Sequence, residues 1–147
     1  MAAYISFQPS DFFNTVLYTG TGSSLGVTGV GFQPDFTWIK QRNGTSNHYL
    51  ADAARGAGKY VESSTAIAEV TNVNGLSAFD ADGFTVGTQG AQVNGSSDTY
   101  ASWNWKAGTT SGLSGGTITP SAYSFNTTSG FGAYKYTGTG SAATIAH

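Results

Sequence analysis

A serine–histidine–acid triad in this chain would have to be built on His48, the one histidine away from the C-terminus. A nucleophilic serine of that kind sits on a strand-to-helix elbow, and no such elbow surrounds a candidate serine. Paired carboxylates are the next chemistry to consider. Asp80 and Asp82 stand two apart, Asp98 is further along, and Glu62 and Glu69 are the only glutamates. A glycosidase needs two carboxyls about 5–9.5 Å apart across a sugar cleft. The run Asp80-Ala81-Asp82-Gly83 offers oxygen ligands for calcium, but it lacks the rest of a calcium loop. A tight turn closed by Asx hydrogen bonds accounts for it better. The glycine-rich run 19–23 has neither a following lysine nor a helix, so a hairpin turn or bulge explains it better than a phosphate loop. Asp52, Arg55 and Lys59 could form an ion pair that fixes the middle of the chain.

The aromatic residues offer recognition without catalysis. Trp38, Trp103 and Trp105 could be flat platforms for sugar rings, or they could be core residues that bury about 150–250 Å² each. Alternation along residues 99–106 puts Ala101, Trp103 and Trp105 on one face. Tyr100, Ser102, Asn104 and Lys106 share the other. The tryptophan face is read as core. That leaves Tyr100 and Asn104, with Trp38 and Lys40, as candidate binding residues. For Trp38, which shares a face with Lys40, core and platform both stay open.

The elements that must hold these residues read as strands. Residues 13–18, 36–40, 99–106 and 131–137 are the clearest, with shorter runs at 26–30, 47–50, 60–62, 66–70, 76–79 and 84–87. Asn43-Gly44, Asn74-Gly75 and Asn94-Gly95 mark turns. The one helix candidate, residues 50–55, is long enough for a turn or two. Residues 107–116 read as a linker or exposed loop of Gly, Thr and Ser. Residues 117–120 and 123–125 read as edge strands, with Pro120 suited to an edge. Many short strands without crossover helices predict an all-β antiparallel β-sandwich or jelly roll. Closing it should bring residues 12–19 beside residues 99–106 or the C-terminal strand.

The 147 residues suit one domain, and charged side chains make up only 10% of them, with a net charge of −2. Nucleic-acid binding needs a basic face and is not expected. There is no cysteine, which excludes disulfides and thiolate sites. No run is apolar enough to span a membrane, and the N-terminus lacks the basic-then-apolar pattern of a signal peptide. No metal or cofactor is expected, and the chain does not read as an enzyme.

One phrase occurs twice. Tyr18-Thr19-Gly20-Thr21-Gly22-Ser23 recurs as Tyr136-Thr137-Gly138-Thr139-Gly140-Ser141, with Phe13 matched by Phe131 and Val27 by Ile145. The chain therefore reads as a full module over residues 1–107, a loop at 108–116, and the opening of a second, truncated module at 117–147. Thirty-one residues hold too little apolar surface to fold alone. They should pack on the first module or on a neighbouring subunit by strand addition. Tyr123, Phe125, Tyr134 and Tyr136 are the candidate assembly residues.

Taken in order, residues 12–20, 29–40, 48–50, 52–56, 59–60, 79–87 and 100–107 resemble a domain common in tailed-phage virion proteins, found in tandem in tail-fibre-like chains. The resemblance runs from about residue 8 to 107 and resumes at Gly130. It implies a concanavalin-like, lectin-type jelly roll and carries no catalytic residues. The function it implies is that of a virion structural protein, a head decoration or tail-fibre component made in the host cytoplasm. Such a protein would bind copies of itself and another capsid or tail protein. A host-glycan receptor-binding module is the alternative.

Overall fold

The computed structural model describes residues 8–147. The reading of the extreme N-terminus, residues 1–7, lies outside the described residues. The strands are β1 (Phe13–Thr19), β2 (Leu25–Val27), β3 (Phe36–Gln41), β4 (Tyr49–Asp52), β5 (Lys59–Tyr60) and β6 (Val70–Thr71). They continue as β7 (Leu76–Asp80), β8 (Gly83–Val86), β9 (Thr99–Trp105), β10 (Ala122–Asn126) and β11 (Phe131–Lys135). Among the described residues, helical structure is confined to a 3-10 turn at Pro9–Asp11 and a π-helical turn at Gly90–Asn94.

The strands named here all pair antiparallel. One sheet has the order β1-β9-β3-β4, a second β2-β8-β7, and two short ribbons pair β5 with β6 and β10 with β11. The chain is an all-β antiparallel sandwich. Strand β1 lies along the whole of β9, from Phe13 opposite Trp105 to Thr19 opposite Thr99, so the opening strand takes the expected place. The core forms where the inner faces of the two larger sheets meet. It contains Ile39, Tyr49, Ala51 and Tyr100 from one sheet, Val27, Leu76, Phe84 and Val86 from the other, and Tyr60 and Val93 between. Full burial of each large side chain contributes about 1.5–3 kcal/mol. Tyr18 stacks on Tyr100 at 4.9 Å, and Tyr49 on Tyr60 at 4.2 Å.

Three local expectations are corrected. Residues 50–55 are not helical: β4 pairs with β3, so Tyr49 and Ala51 face the core, and Asp52 then opens a turn closed on Arg55. Asn94-Gly95 is not a hairpin tip. Asn94 ends the π-helical turn fully buried, and its side chain bonds two neighbouring loops. The third correction concerns which face of β9 looks inward. Tyr100, Ser102 and Asn104 are buried, and Trp103 and Trp105 lie on the opposite, outer face.

That inversion has a physical cause. The inner face carries a fully partnered polar row. Thr37 Oγ1 donates to Asn104 Oδ1 at 3.1 Å, and Asn104 Nδ2 donates to the Asn14 carbonyl at 3.2 Å and to Ser102 Oγ at 3.1 Å. A buried amide with its hydrogen bonds made carries little penalty. The indoles then remain free to cover the other side of the sheet.

The β10–β11 hairpin packs against the body through Asp35. Its carboxylate accepts from Ser124 Oγ at 2.7 Å and from the Ala107 amide at 2.8 Å, with both Asp35 and Ser124 buried. The last residues fold back as well: Ile145 bridges Ile118 and Ala146 is buried.

Candidate functional site

The outer face of the β1-β9-β3-β4 sheet can be read row by row from its register. Phe13, Trp105, Phe36 and Asp52 form one cross-strand row. Thr15, Trp103, Trp38 and Leu50 form the next, followed by Leu17, Ala101 and Lys40. Directly opposed residues on one face sit close enough to pack, so the sheet itself assembles the aromatic cluster. Trp105 meets Phe13 at 4.9 Å and Phe36 at 5.3 Å, and Trp38 meets Trp103 edge to face at 5.9 Å. Phe131, from β11, stacks on Trp105 at 5.8 Å and covers one end. Elsewhere the face is partly uncovered, with Phe13 37% and Leu17 60% exposed. Between Trp38, Trp103 and Trp105 lies a shallow trough of about 160 Å³.

Trp38 is held in place by His48, whose Nδ1 accepts from the indole Nε1 at 2.9 Å. A neutral His48 therefore carries its proton on Nε2. Lys40 is occupied elsewhere: its ammonium donates to the Gln41 and Gly44 carbonyls and clips the β3–β4 loop. Of the four binding candidates, Trp38 belongs to the face and Lys40 borders it. Tyr100 and Asn104 do not: both are fully buried, and the Tyr100 hydroxyl accepts from the Gly95 amide and donates to the Ala91 carbonyl. They are core residues. Trp103, Trp105, Phe36 and Phe131 belong to the face in their place. The alternation of Phe36 and Trp38 with Trp103 and Trp105 was the available signal, since strands paired in register put both sets on one side.

The assembly candidates lie on the hairpin. Tyr123 stands opposite Tyr134 in register, and its ring is 6.1 Å from that of Phe125. Tyr136 follows β11 and is 48% exposed. Strand β11 also walls a groove of about 430 Å³ with Phe36, Asp52, Arg55 and Val61.

Asp80, Asp82, Asp98 and Glu62 each tie a loop of their own. Asp80 accepts from Thr85 Oγ1 at 2.7 Å. Asp82 accepts from the Gly31 and Gly29 amides at 2.6 and 3.1 Å, and these bonds, Gly31 first, hold its pKa below the usual carboxylate value. Asp98 accepts from Asn43. Glu62 gathers Asn47, Thr65 and Gln92. Arg55 pairs with Asp52 at 2.5 Å and stands 3.8 Å from Glu69, and Lys59 makes no ion pair among the described residues. Two runs do spell Gly-x-Ser-x-Gly, around Ser24 and Ser114, but both serines are exposed in loops with no helix behind them. No group of three or more metal-ligating side chains occurs among the described residues.

No curated protein and no solved structure matches this chain. Residues 8–147 match a family described as a domain of unknown function (DUF7483), and the chain belongs to that family.

Proposed function

We propose that this chain is a non-catalytic structural module of a phage virion, a head decoration or a tail-fibre component, and that the aromatic outer face of its main sheet is the contact surface. The observation that carries the reading is the set Phe13, Trp38, Trp103 and Trp105 gathered by register onto one side of a sheet and left partly uncovered. Aromatic residues are enriched at protein interfaces and dominate their energetics. A surface with few charges, repeated in many copies, turns weak single contacts into strong attachment. Partners of this kind are further copies of the chain and another capsid or tail protein. A lectin-type jelly roll is the finer fold reading that accompanies this role.

The test has two parts. Antibodies against the purified chain should label intact particles of the source phage, and labelling confined to debris would remove the virion assignment. Trp103→Ala should weaken binding to those particles at least tenfold while shifting the melting temperature little, because the indole sits on the outer side of the sheet.

The trough between the three indoles favours one second reading, a host-glycan site. Its outcome differs: saturable retention on host polysaccharide that is lost in Trp38→Ala.

A further inference from the structure

The Thr-Gly-Ser half of the repeated hexapeptide has one fold in two settings. In residues 18–23, Thr21 Oγ1 accepts from the Ser23 amide and donates to the Ser23 carbonyl, and Gly22 has φ 73°. In residues 136–141, Thr139 makes the same two bonds with Ser141, and Gly140 has φ 73°. The local structure of that turn is therefore written in its own residues.

The settings differ completely. The first copy is seated on the loop 93–98. Tyr18 donates its hydroxyl to the Val93 carbonyl at 2.7 Å. The Thr21 amide donates to Asn94 Oδ1, the Gly22 amide to the Asn94 carbonyl, and Asn94 Nδ2 to the Ser23 carbonyl. The Gly20 amide donates to the Asp98 carbonyl, and the Gly20 carbonyl accepts from the Ser97 amide. Among the described residues the second copy makes no counterpart of any of these bonds, and Tyr136 is exposed where Tyr18 is half-buried and packs against Phe84 and Tyr100.

The glycines sharpen the contrast. A Cβ at Gly20 would meet the Gly95 carbonyl oxygen, so the seat itself demands glycine there. A Cβ at Gly138 would meet nothing within 4 Å, and its backbone is not in the left-handed region. Nothing within the monomer requires glycine at 138. A seat like that of Gly20 would.

We infer that residues 136–141 are a docking segment that seats on the 93–98 loop of a second copy of this chain, in place of that copy's own residues 18–23. Donors and acceptors match one for one because the two segments are identical, and Tyr136 and Thr137 would also take over the pairing of Tyr18 and Thr19 with Tyr100 and Thr99 at the end of β9. The exchange therefore conserves hydrogen bonds, and its cost lies in association. The covalently attached segment competes at an effective concentration on the order of millimolar. The exchange is thus expected in dense arrays and at high concentration. It uses no residue of the tryptophan face and goes beyond the reading above.

Sedimentation of the full chain from about 10 µM up to about 1 mM reaches that effective concentration and tests the inference. Wild type should self-associate toward the upper end. Gly138→Ala should keep the wild-type melting temperature and associate at least tenfold more weakly. Gly20→Ala blocks the attached segment and should associate at least tenfold more tightly, an effect lost in the Gly20→Ala/Gly138→Ala double variant. If Gly20→Ala fails to fold, wild type and Gly138→Ala decide alone. Equal association of those two, or a wild type that stays monomeric across the range, overturns the inference. The difference in association between wild type and Gly138→Ala should persist in a Trp103→Ala background, so this outcome is separable from that of the tryptophan face.

Discussion

At the scale of single residues the core depends on tyrosines whose hydroxyls are spent inside the protein. Tyr18 donates to Val93, Tyr49 accepts from the Leu76 amide, and Tyr100 bonds Gly95 and Ala91. Burial is the main reason that all three resist ionisation. It raises Tyr18 well above the ordinary value of 10, raises Tyr100 as well, and pushes Tyr49 up to about 12. A folded pKa above the unfolded one gives stability that is complete below the unfolded pKa and lost as pH rises through the folded pKa. The protein should therefore hold its stability to about pH 10 and lose it progressively toward about pH 12. Circular dichroism and tyrosinate absorbance followed together check this. For the buried tyrosines, ionisation and unfolding should coincide, and ionisation well ahead of unfolding would refute it.

At the scale of elements, strand identity was legible and strand facing was not. Residues 13–18, 36–40 and 131–137 read as strands, and the structure puts β1 and β3 at the first two and β11 over Phe131–Lys135 in the third. In β9 both faces are apolar or carry satisfied polar groups, so periodicity alone cannot say which side faces the core. The choice rests on Thr37 and Asn14, which lie far away in sequence and supply partners for Asn104. The Asp35 contact with Ser124 was equally invisible, because nothing local marks a carboxylate that will meet a hydroxyl 89 positions later. The turn between β7 and β8 was legible as a turn, but its second aspartate reaches across to the segment leading into β3. Its lowered pKa means that this tie is present above the usual carboxylate value and is lost as pH falls through the lowered one. Hydrogen exchange should show the Gly29 and Gly31 amides opening in acid before the core strands. Asp82→Asn should bring that opening to neutral pH.

At the scale of the whole molecule, Asp35 joins the C-terminal hairpin to the sandwich and thereby decides how much of Trp105 and Phe36 is covered by Phe131. Asp35→Ala leaves the Ser124 hydroxyl and the Ala107 amide without their acceptor, at a cost of about 1–3 kcal/mol for each buried group left unmatched. Denaturant titration should record the loss. Limited proteolysis should cut within residues 108–116 first, and tryptophan emission should shift to the red as the hairpin lifts. Wild-type resistance at that loop in the variant would argue against the coupling.

The amide–hydroxyl row beneath the sheet has a consequence for folding fidelity. A strand greasy on both sides can pair one residue out of step and still hide oil, and such slips feed aggregation. Here a one-step slip of β9 would turn Asn104 and Ser102 outward and strand the Thr37 hydroxyl in a dry interior. The mispaired sheet would stay marginal, and the chain has a built-in penalty against its most tempting error.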